Sequence, residues 1–330
     1  MALNQFNTII AVVIPCYKVK NQIVDVISKI GDEVSYIVVV DDCCPESSGK
    51  HVKETCHDDR VQLVFNETNL GVGGATIAGI EIALKLHADI IIKLDGDGQY
   101  DPALIPSLVL PIVDGYADVA KGNRFFNIDN LGKMPLIRVI GNAALSFINK
   151  LVSGYWNVMD PTNGFVAIHR NILLQLPLEK LDKRYYFESD LLFRLNTIRA
   201  VVHDVPLTAT YGEENSSLIV SSIIFSFPAK QLNRFFKRIG YSYFLRDFNI
   251  GSISLVFGII LFVSGLIYTL ARWLESSISG MPATAGMVMI GAIQLVIGMQ
   301  LILTFLNYDV ANVPKIVQHK LLARRGDLPK

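Results

Sequence analysis

The stretch Ala88-Asp89-Ile90-Ile91-Ile92-Lys93-Leu94-Asp95-Gly96-Asp97-Gly98-Gln99-Tyr100-Asp101-Pro102 decides the fold. Its apolar run, Ile90 to Leu94, stops on a cluster of carboxylates and glycines. A run this short and this rich in Ile reads as a buried parallel strand. Three runs of the same kind precede it: Ile9 to Ile14, closed by Pro15, then Tyr36 to Val40, then Val61 to Phe65. Between them Asn21 to Ile30, Glu46 to Cys56 and Gly73 to Leu86 carry helical spacing. The alternation predicts an α/β domain on a mostly parallel sheet over the first 115 or so residues.

Ligands of such sheets bind beyond the carboxyl ends of the strands. Those ends are Pro15-Cys16-Tyr17, Asp41-Asp42, Asn66 to Asn69, and Asp95-Gly96-Asp97-Gly98-Gln99, so carboxylates and amides converge on one edge. Asp95 and Asp97, parted by one glycine, can both approach a hard cation, Mg²⁺ or Mn²⁺, whose other ligands would be water and phosphate oxygens. The same residues also suit a simple turn. A calcium loop of the EF-hand type is excluded, because Pro106 stands where the closing Glu belongs. Leu70-Gly71-Val72-Gly73-Gly74-Ala75-Thr76 is not a dinucleotide fingerprint, since it follows the third strand and has Thr76 where glycine is needed. It is either a helix N-terminus that faces phosphate with bare N–H groups or a tight turn into the helix.

Thirty Lys and Arg balance thirty Asp and Glu, which argues against a globally basic nucleic-acid binder. Hydrophobic residues make up 51% of the 330 and mean hydropathy is +0.39, pointing to a water-soluble body with a membrane appendage. No charge occurs between Asp247 and Arg272 or between Glu275 and Asp309. The apolar stretches Gly251–Ala271 and Ala285–Leu306 match the ~20 residues that a bilayer core requires. Lys230, Arg234, Lys237, Arg238 and Arg246 precede the first, and Lys315, Lys320, Arg324, Arg325 and Lys330 follow the second, so both termini are expected in the cytoplasm. Gln294 and Gln300 inside the second span are read as helix-packing amides. Phe6 to Ile14 is too short for a signal peptide and lacks a basic flank. Cys16, Cys43, Cys44 and Cys56 are read as ordinary thiols of a cytoplasmic body. The expected division is 1–218 for the body, 219–250 for interfacial amphipathic helices broken near Pro228, 251–308 for a transmembrane hairpin, and 309–330 for a basic tail.

The ordered set Val13-Ile14-Pro15-Cys16-Tyr17, Val39-Val40-Asp41-Asp42, Asn69 to Ala75, Asp95 to Pro102 and Lys121-Gly122-Asn123-Arg124-Phe125 resembles the GT-A glycosyltransferases of family 2 over roughly residues 8 to 218. Within that family it is most similar to the polyprenyl-phosphate glycosyltransferases of the dolichol-phosphate-mannose-synthase type. The resemblance implies a Rossmann-like GT-A fold and a metal-dependent hexosyl transfer from a nucleotide-diphosphate sugar to polyprenyl phosphate, with inversion, on the cytoplasmic leaflet of an inner membrane or its equivalent. It implies that Pro15 and Tyr17 frame the nucleobase and Asp42 meets base or ribose, with Gly71, Gly74, Asp95 and Gln99 also on the nucleotide sugar. Asp95 and Asp97 become the metal pair, with Asp97 the more direct ligand. Arg124, and Arg138 with Asn142 on a helix from Pro135 to Leu151, correspond to holders of the acceptor phosphate. Asp160-Pro161-Thr162-Asn163-Gly164-Phe165 and Phe187-Glu188-Ser189-Asp190 resemble the family's acceptor-side segments, making Asp160, Glu188 and Asp190 catalytic candidates. Only one of Glu188 and Asp190 is expected in the cleft, because residues two apart do not share a helix face.

The pattern also departs from the family. Asp41-Asp42-Cys43-Cys44 replaces D-D-G-S, Gly164-Phe165-Val166 replaces G-F-R, and no arginine precedes Gly212. Two expected cations are thus missing, which leaves room for a lipid-diphosphate-linked saccharide as acceptor. A non-catalytic, membrane-tethered nucleotide-sugar binder is the reading from another class. A homo-oligomer is compatible with the sequence. Gln231-Leu232-Asn233-Arg234-Phe235 echoes the Q-x-x-R-W of processive synthases and is read as coincidence, since two spans make no obvious polymer channel.

Overall fold

The computed structural model describes residues 8–126, 136–207 and 220–326, without the side chains of 136–140, 142, 220–226 and 323–326. Seven strands form one sheet: β1 (Ile10–Cys16), β2 (Tyr36–Asp41), β3 (Val61–Phe65), β4 (Ile90–Lys93), β5 (Val119–Asn123), β6 (Val166–His169) and β7 (Val202–Pro206), in the order β3-β2-β1-β4-β6-β5-β7. The first four strands are parallel, as the Ile- and Val-rich runs lead one to expect. They are connected by α1 (Ile23–Ser28), α2 (Ser48–Thr55) and α3 (Gly71–Lys85). Ile10, Val12, Ile14, Ile37, Val39, Ile90 and Ile92 are at most 2% exposed. Burying each such side chain stabilises the fold by roughly 1.5–3 kcal/mol.

The later strands are less legible in sequence. β5 holds Lys121, Gly122 and Asn123, which interrupt its apolar run, and β6 is largely apolar but only four residues long. β6 lies antiparallel between β4 and β5, with Val166 opposite both Lys93 and Lys121. Because β6 runs backwards, the segment that leads into it, Asp160 to Phe165, arrives at the carboxyl edge of its two neighbours. The same edge receives α7 (Phe187–Thr197), which follows α4 (Ile105–Val113), α5 (Leu136–Ser153) and α6 (Arg170–Leu173).

The chain divides into two compact units, one of residues 1–235 with 314–330 and one of residues 236–313. In the first, part of the basic tail is helical and packs on the body. Its helix α11 (Gln318–Gly326; α8 to α10 are placed below) docks through Asp118, whose carboxylate accepts from the N–H groups of Gln318 and His319 and lies 2.9 Å from His319 Nδ1. His319 stacks on His169 at 4.2 Å between ring centroids. Burial alone would raise the Asp118 carboxyl, but these hydrogen bonds outweigh it and hold the pKa below the ordinary value.

α8 (Val220–Gly240) is one continuous helix, so the break expected near Pro228 does not occur. The helix bears the local cost of Pro228, flanked by the contacts of Phe227 with Tyr186 and of Lys230 with Asp182. In the second unit α9 (Ile250–Ser279) and α10 (Ala285–Ala311) form an antiparallel hairpin. Only 28% and 17% of their most apolar stretches is buried, unlike core helices of a soluble body. Gly258 and Gly265 of α9 meet Ile302 and Leu295 backbone, while Gly298 of α10 meets Phe262 backbone, the close approach that small residues permit between membrane helices. Gln294 packs at this seam against Gly265, but Gln300 is exposed on the outer surface, contrary to the packing role expected of it. At the foot of the hairpin Arg238, 2% exposed, forks onto Asp309 at 2.6 and 3.0 Å, and Tyr243 donates to the same carboxylate. Arg238 is therefore a buried partner rather than an interfacial cation.

Candidate active site

β4 ends at Lys93, and the chain then turns through Asp95 and Asp97 at the sheet edge, both half-buried. Asp97 Oδ1 accepts from the Gln99 N–H at 3.0 Å, which shapes the turn, while Gln99 itself is exposed. Gly98 turns with φ +77°, a conformation in which only glycine is unstrained. Tyr100 closes the floor by stacking on Phe165, with centroids 5.6 Å apart.

Lys93 was not among the residues singled out by sequence. It is 3% exposed, and its Nζ lies 2.7 Å from Asp95 Oδ1 and 3.1 Å from Glu188 Oε1. Burial would depress its pKa, but the two carboxylates more than offset this and hold it above the ordinary lysine value. Lys93 thus ties the β4 edge to α7. A lysine inside an apolar strand run was the available signal, since a buried cation requires a carboxylate partner. Gly164 completes the contact, because a Cβ there would collide with Asp95 Oδ2 and Lys93 Nζ.

A second charged cluster lies beside the first. Asp160, fully buried, holds Arg124 in a two-pronged fork through Nε at 2.7 Å and Nη2 at 3.0 Å, and accepts from Asn163 Nδ2 at 3.1 Å. Lys121, 2% exposed, donates to the Asn163 carbonyl. Burial pushes its pKa down to about 8, against the pull of Asp160 and Glu188. Asp204 of β7, which accepts from the Met159 N–H, is pushed up to about 6, chiefly by burial.

Glu188 and Asp190 part company as helix geometry requires. Glu188 faces Lys93, whereas Asp190, fully buried, accepts from the Asp182 N–H and pairs with Arg194 at 3.1 Å and Arg234 at 2.6 Å. Asp190 is therefore a bracing carboxylate, not one on the open edge.

The nucleotide-side residues are also separated. Tyr17 is 43% exposed at the end of β1, next to half-buried Pro15. Asp42 is 2% exposed, and its carboxylate accepts from Asn66 Nδ2 and from the N–H groups of Leu70 and Gly71, at 2.7–2.8 Å. It fastens the start of α3 instead of pointing outward. The Gly74 N–H donates to the Lys183 carbonyl at 3.0 Å, and a Cβ on Gly71 or Gly73 would strike the backbone of Asp182–Lys183. Gly71 and Gly74 are thus packing residues whose N–H groups already have acceptors, which favours the tight turn over the phosphate-facing helix end. The side chains of Arg138 and Asn142, and the stretch Tyr211 to Leu218, lie outside the described residues.

Comparison with known proteins decides what this edge belongs to. The profile of glycosyl transferase family 2 matches residues 11–176. The chain belongs to that family. It is 31% identical over 219 residues to a UDP-N-acetylglucosamine–dolichyl-phosphate N-acetylglucosaminyltransferase of Methanococcus voltae, covering 62% of this chain and 87% of the relative. It is 28% identical over 218 residues to a polyprenol monophosphomannose synthase of Mycolicibacterium smegmatis, covering 64% and 82%. Among solved structures it shares the fold of glucosyl-3-phosphoglycerate synthase from Mycobacterium tuberculosis, crystallised with Mn²⁺, UDP and glucosyl-3-phosphoglycerate, at a TM-score of 0.54 and 18% identity, covering 73% and 85%. This family 2 glycosyltransferase is an enzyme, so the non-catalytic binder is set aside, and the GT-A architecture read from its motifs is the one observed.

Proposed function

We propose that this family 2 enzyme transfers a sugar, with inversion, from a nucleoside-diphosphate sugar to a polyprenyl phosphate at the cytoplasmic face of a membrane. One observation carries the reading: the half-buried pair Asp95 and Asp97 sits at the open sheet edge, with Asp95 joined through Lys93 to Glu188. The relatives that act on dolichyl phosphate and polyprenol monophosphate support the acceptor class. The two exposed apolar helices support a membrane-borne substrate, and the basic residues flanking them support cytoplasmic termini.

The donor set fits a divalent cation. Among the described residues no group of three or more His, Cys, Asp or Glu could enclose a metal by itself. A pair of carboxylates is what Mg²⁺ or Mn²⁺ uses when substrate phosphates supply further ligands. Asp97 and Asp95 would hold it, and when bound it would neutralise charge on the departing diphosphate. The protein's own work is positional. Exposed Tyr17 offers a face to the base, Lys93 keeps Asp95 and Glu188 in register, and Asp160 fixes the Arg124 guanidinium toward the acceptor phosphate. A phosphate monoester is already anionic at neutral pH and attacks the anomeric carbon without a base. The sugar–diphosphate C–O bond breaks as the new C–O bond to the lipid phosphate forms, and the nucleoside diphosphate leaves.

The test incubates detergent-solubilised protein with Mn²⁺ or Mg²⁺ and labelled UDP-, GDP- or dTDP-sugars, with and without polyprenyl phosphate. Label is expected in the organic phase only when the lipid phosphate is added. Transfer only to a lipid-diphosphate-linked saccharide, abolished in Glu188→Gln, would overturn the acceptor assignment.

A further inference from the structure

The segment Asp182–Asp190 touches both halves of the site. On one side the Lys183 carbonyl accepts the Gly74 N–H at 3.0 Å, and Arg184 Nη1 reaches Asn69 Oδ1 at 3.4 Å, so the segment backs the glycine-rich start of α3. On the other side it carries Glu188 to Lys93. Its own shape is set by two aspartates. Asp182 Oδ1 accepts from the Arg184 N–H at 3.0 Å, and Asp190 Oδ2 accepts from the Asp182 N–H at 3.0 Å.

Both aspartates are gripped from outside by α8. Lys230 pairs with Asp182 at 2.5 Å, and Arg234 Nε lies 2.6 Å from Asp190 Oδ1. Aromatic contacts lie along the same line: Tyr186 meets Phe227 edge to face at 5.3 Å, Lys230 lies over Tyr186 at 5.7 Å, and Arg234 over Phe193 at 5.4 Å. Gln231, 6% exposed, is buried between the two cations in sequence. The basic residues that composition assigned to a lipid surface are here spent on two carboxylates of the catalytic body.

We propose that Phe227 to Phe235 of α8 is a positioning strap: Lys230 and Arg234 hold Asp182 and Asp190 so that one segment both backs the α3 start and presents Glu188 to Lys93. The proposal rests on the reading of this edge as the transfer site. Lys230 and Arg234 touch neither donor nor acceptor and act through the aspartates. Releasing the strap loosens the Glu188 side and, through Asp42, which holds the α3 start and whose N–H donates to the Cys16 carbonyl beside Tyr17, the nucleotide side as well, so KM for the nucleotide sugar rises while kcat falls.

The test is a double-mutant cycle on the full-length protein in nanodiscs, with Lys230→Ala, Asp182→Asn and the double variant. Asn keeps the oxygen that accepts from Arg184, so local folding is preserved. Each single change is expected to lower kcat/KM about fivefold, and the double no further, the coupling expected of residues in direct contact. Losses that multiply, as they would if Lys230 instead bound lipid headgroups, overturn the strap, and so does unchanged kcat/KM in the singles. Amide hydrogen exchange, run without any substrate, supplies a second arm. Faster exchange in both 70–76 and 182–190 of Lys230→Ala is expected, and unchanged exchange in 70–76 overturns the strap. If wild type transfers no sugar, the reading of the site fails while the exchange arm still judges the strap.

Discussion

At the carboxyl end of β4, Asp95 and Asp97 stay half-buried at the sheet edge, whereas at the amino end of α3 the N–H groups of Leu70, Gly71 and Gly74 are each taken by a protein acceptor. Both stretches are glycine-rich and follow a strand, and by residue type both suit phosphate or its metal. What separates them is what stays accessible: Asp42 and the Lys183 carbonyl take the N–H groups of Leu70, Gly71 and Gly74, whereas Asp95 and Asp97, though also hydrogen-bonded, remain half-exposed at the edge. Glycine serves close packing in α3 and the reversal of the chain after β4.

The comparison breaks most visibly at Asp97. Asp97→Asn is expected to lower sugar transfer at least about a hundredfold, because an amide is a poor substitute for the carboxylate proposed to hold the cation. The protein should still fold, since the side chain is at the edge; steady-state rates together with a thermal melt would check this. Lys93→Met comes next. It leaves Asp95 and Glu188 without their shared buried cation, and a loss of about 3 kcal/mol is expected from breaking such a pair. Denaturant unfolding would show it, and transfer should fall with it.

On the packing side, Gly73→Ala is expected to destabilise by about 1–3 kcal/mol through the clash with the Asp182 carbonyl. Metal dependence should be unchanged. A variant that melts normally but loses nucleotide affinity would show that the α3 start does face the ligand. The smallest effect concerns Asp204 of β7. Asp204 has a folded pKa raised to about 6, so the native state binds its proton more tightly than the unfolded chain does. Its contribution to stability is therefore full below about pH 4 and declines as pH rises to about 6. Asp204→Asn, which mimics the protonated acid, should melt slightly higher than wild type at pH 7.5 and equally at pH 4.

How much of this was legible follows from the same distinction. The Ile- and Val-rich runs announced β1 to β4 because a strand buried on both faces must be apolar throughout. β5 was silent because Lys121 and Asn123 sit where a core strand would place apolar side chains, and β6 because four residues are too few to show a strand's period. The apolar hairpin could be read from where charge stops, but the fate of its flanking cations could not. Lys230, Arg234 and Arg238 look like surface charge until Asp182, Asp190 and Asp309 arrive from far along the chain. Asp95, Asp97 and the separation of Glu188 from Asp190 came from local spacing, while the Lys93 bridge joins residues nearly a hundred apart.

The most direct test of the central claim is calorimetric binding of UDP, GDP and dTDP to the solubilised protein, with and without Mn²⁺, in wild type and Asp97→Asn. The account predicts that one of these nucleotides binds wild type tightly only with Mn²⁺, and that the variant binds it weakly whether or not the metal is present. Metal-dependent binding of equal strength in Asp97→Asn would contradict it, because the cation would then be held elsewhere than at the end of β4.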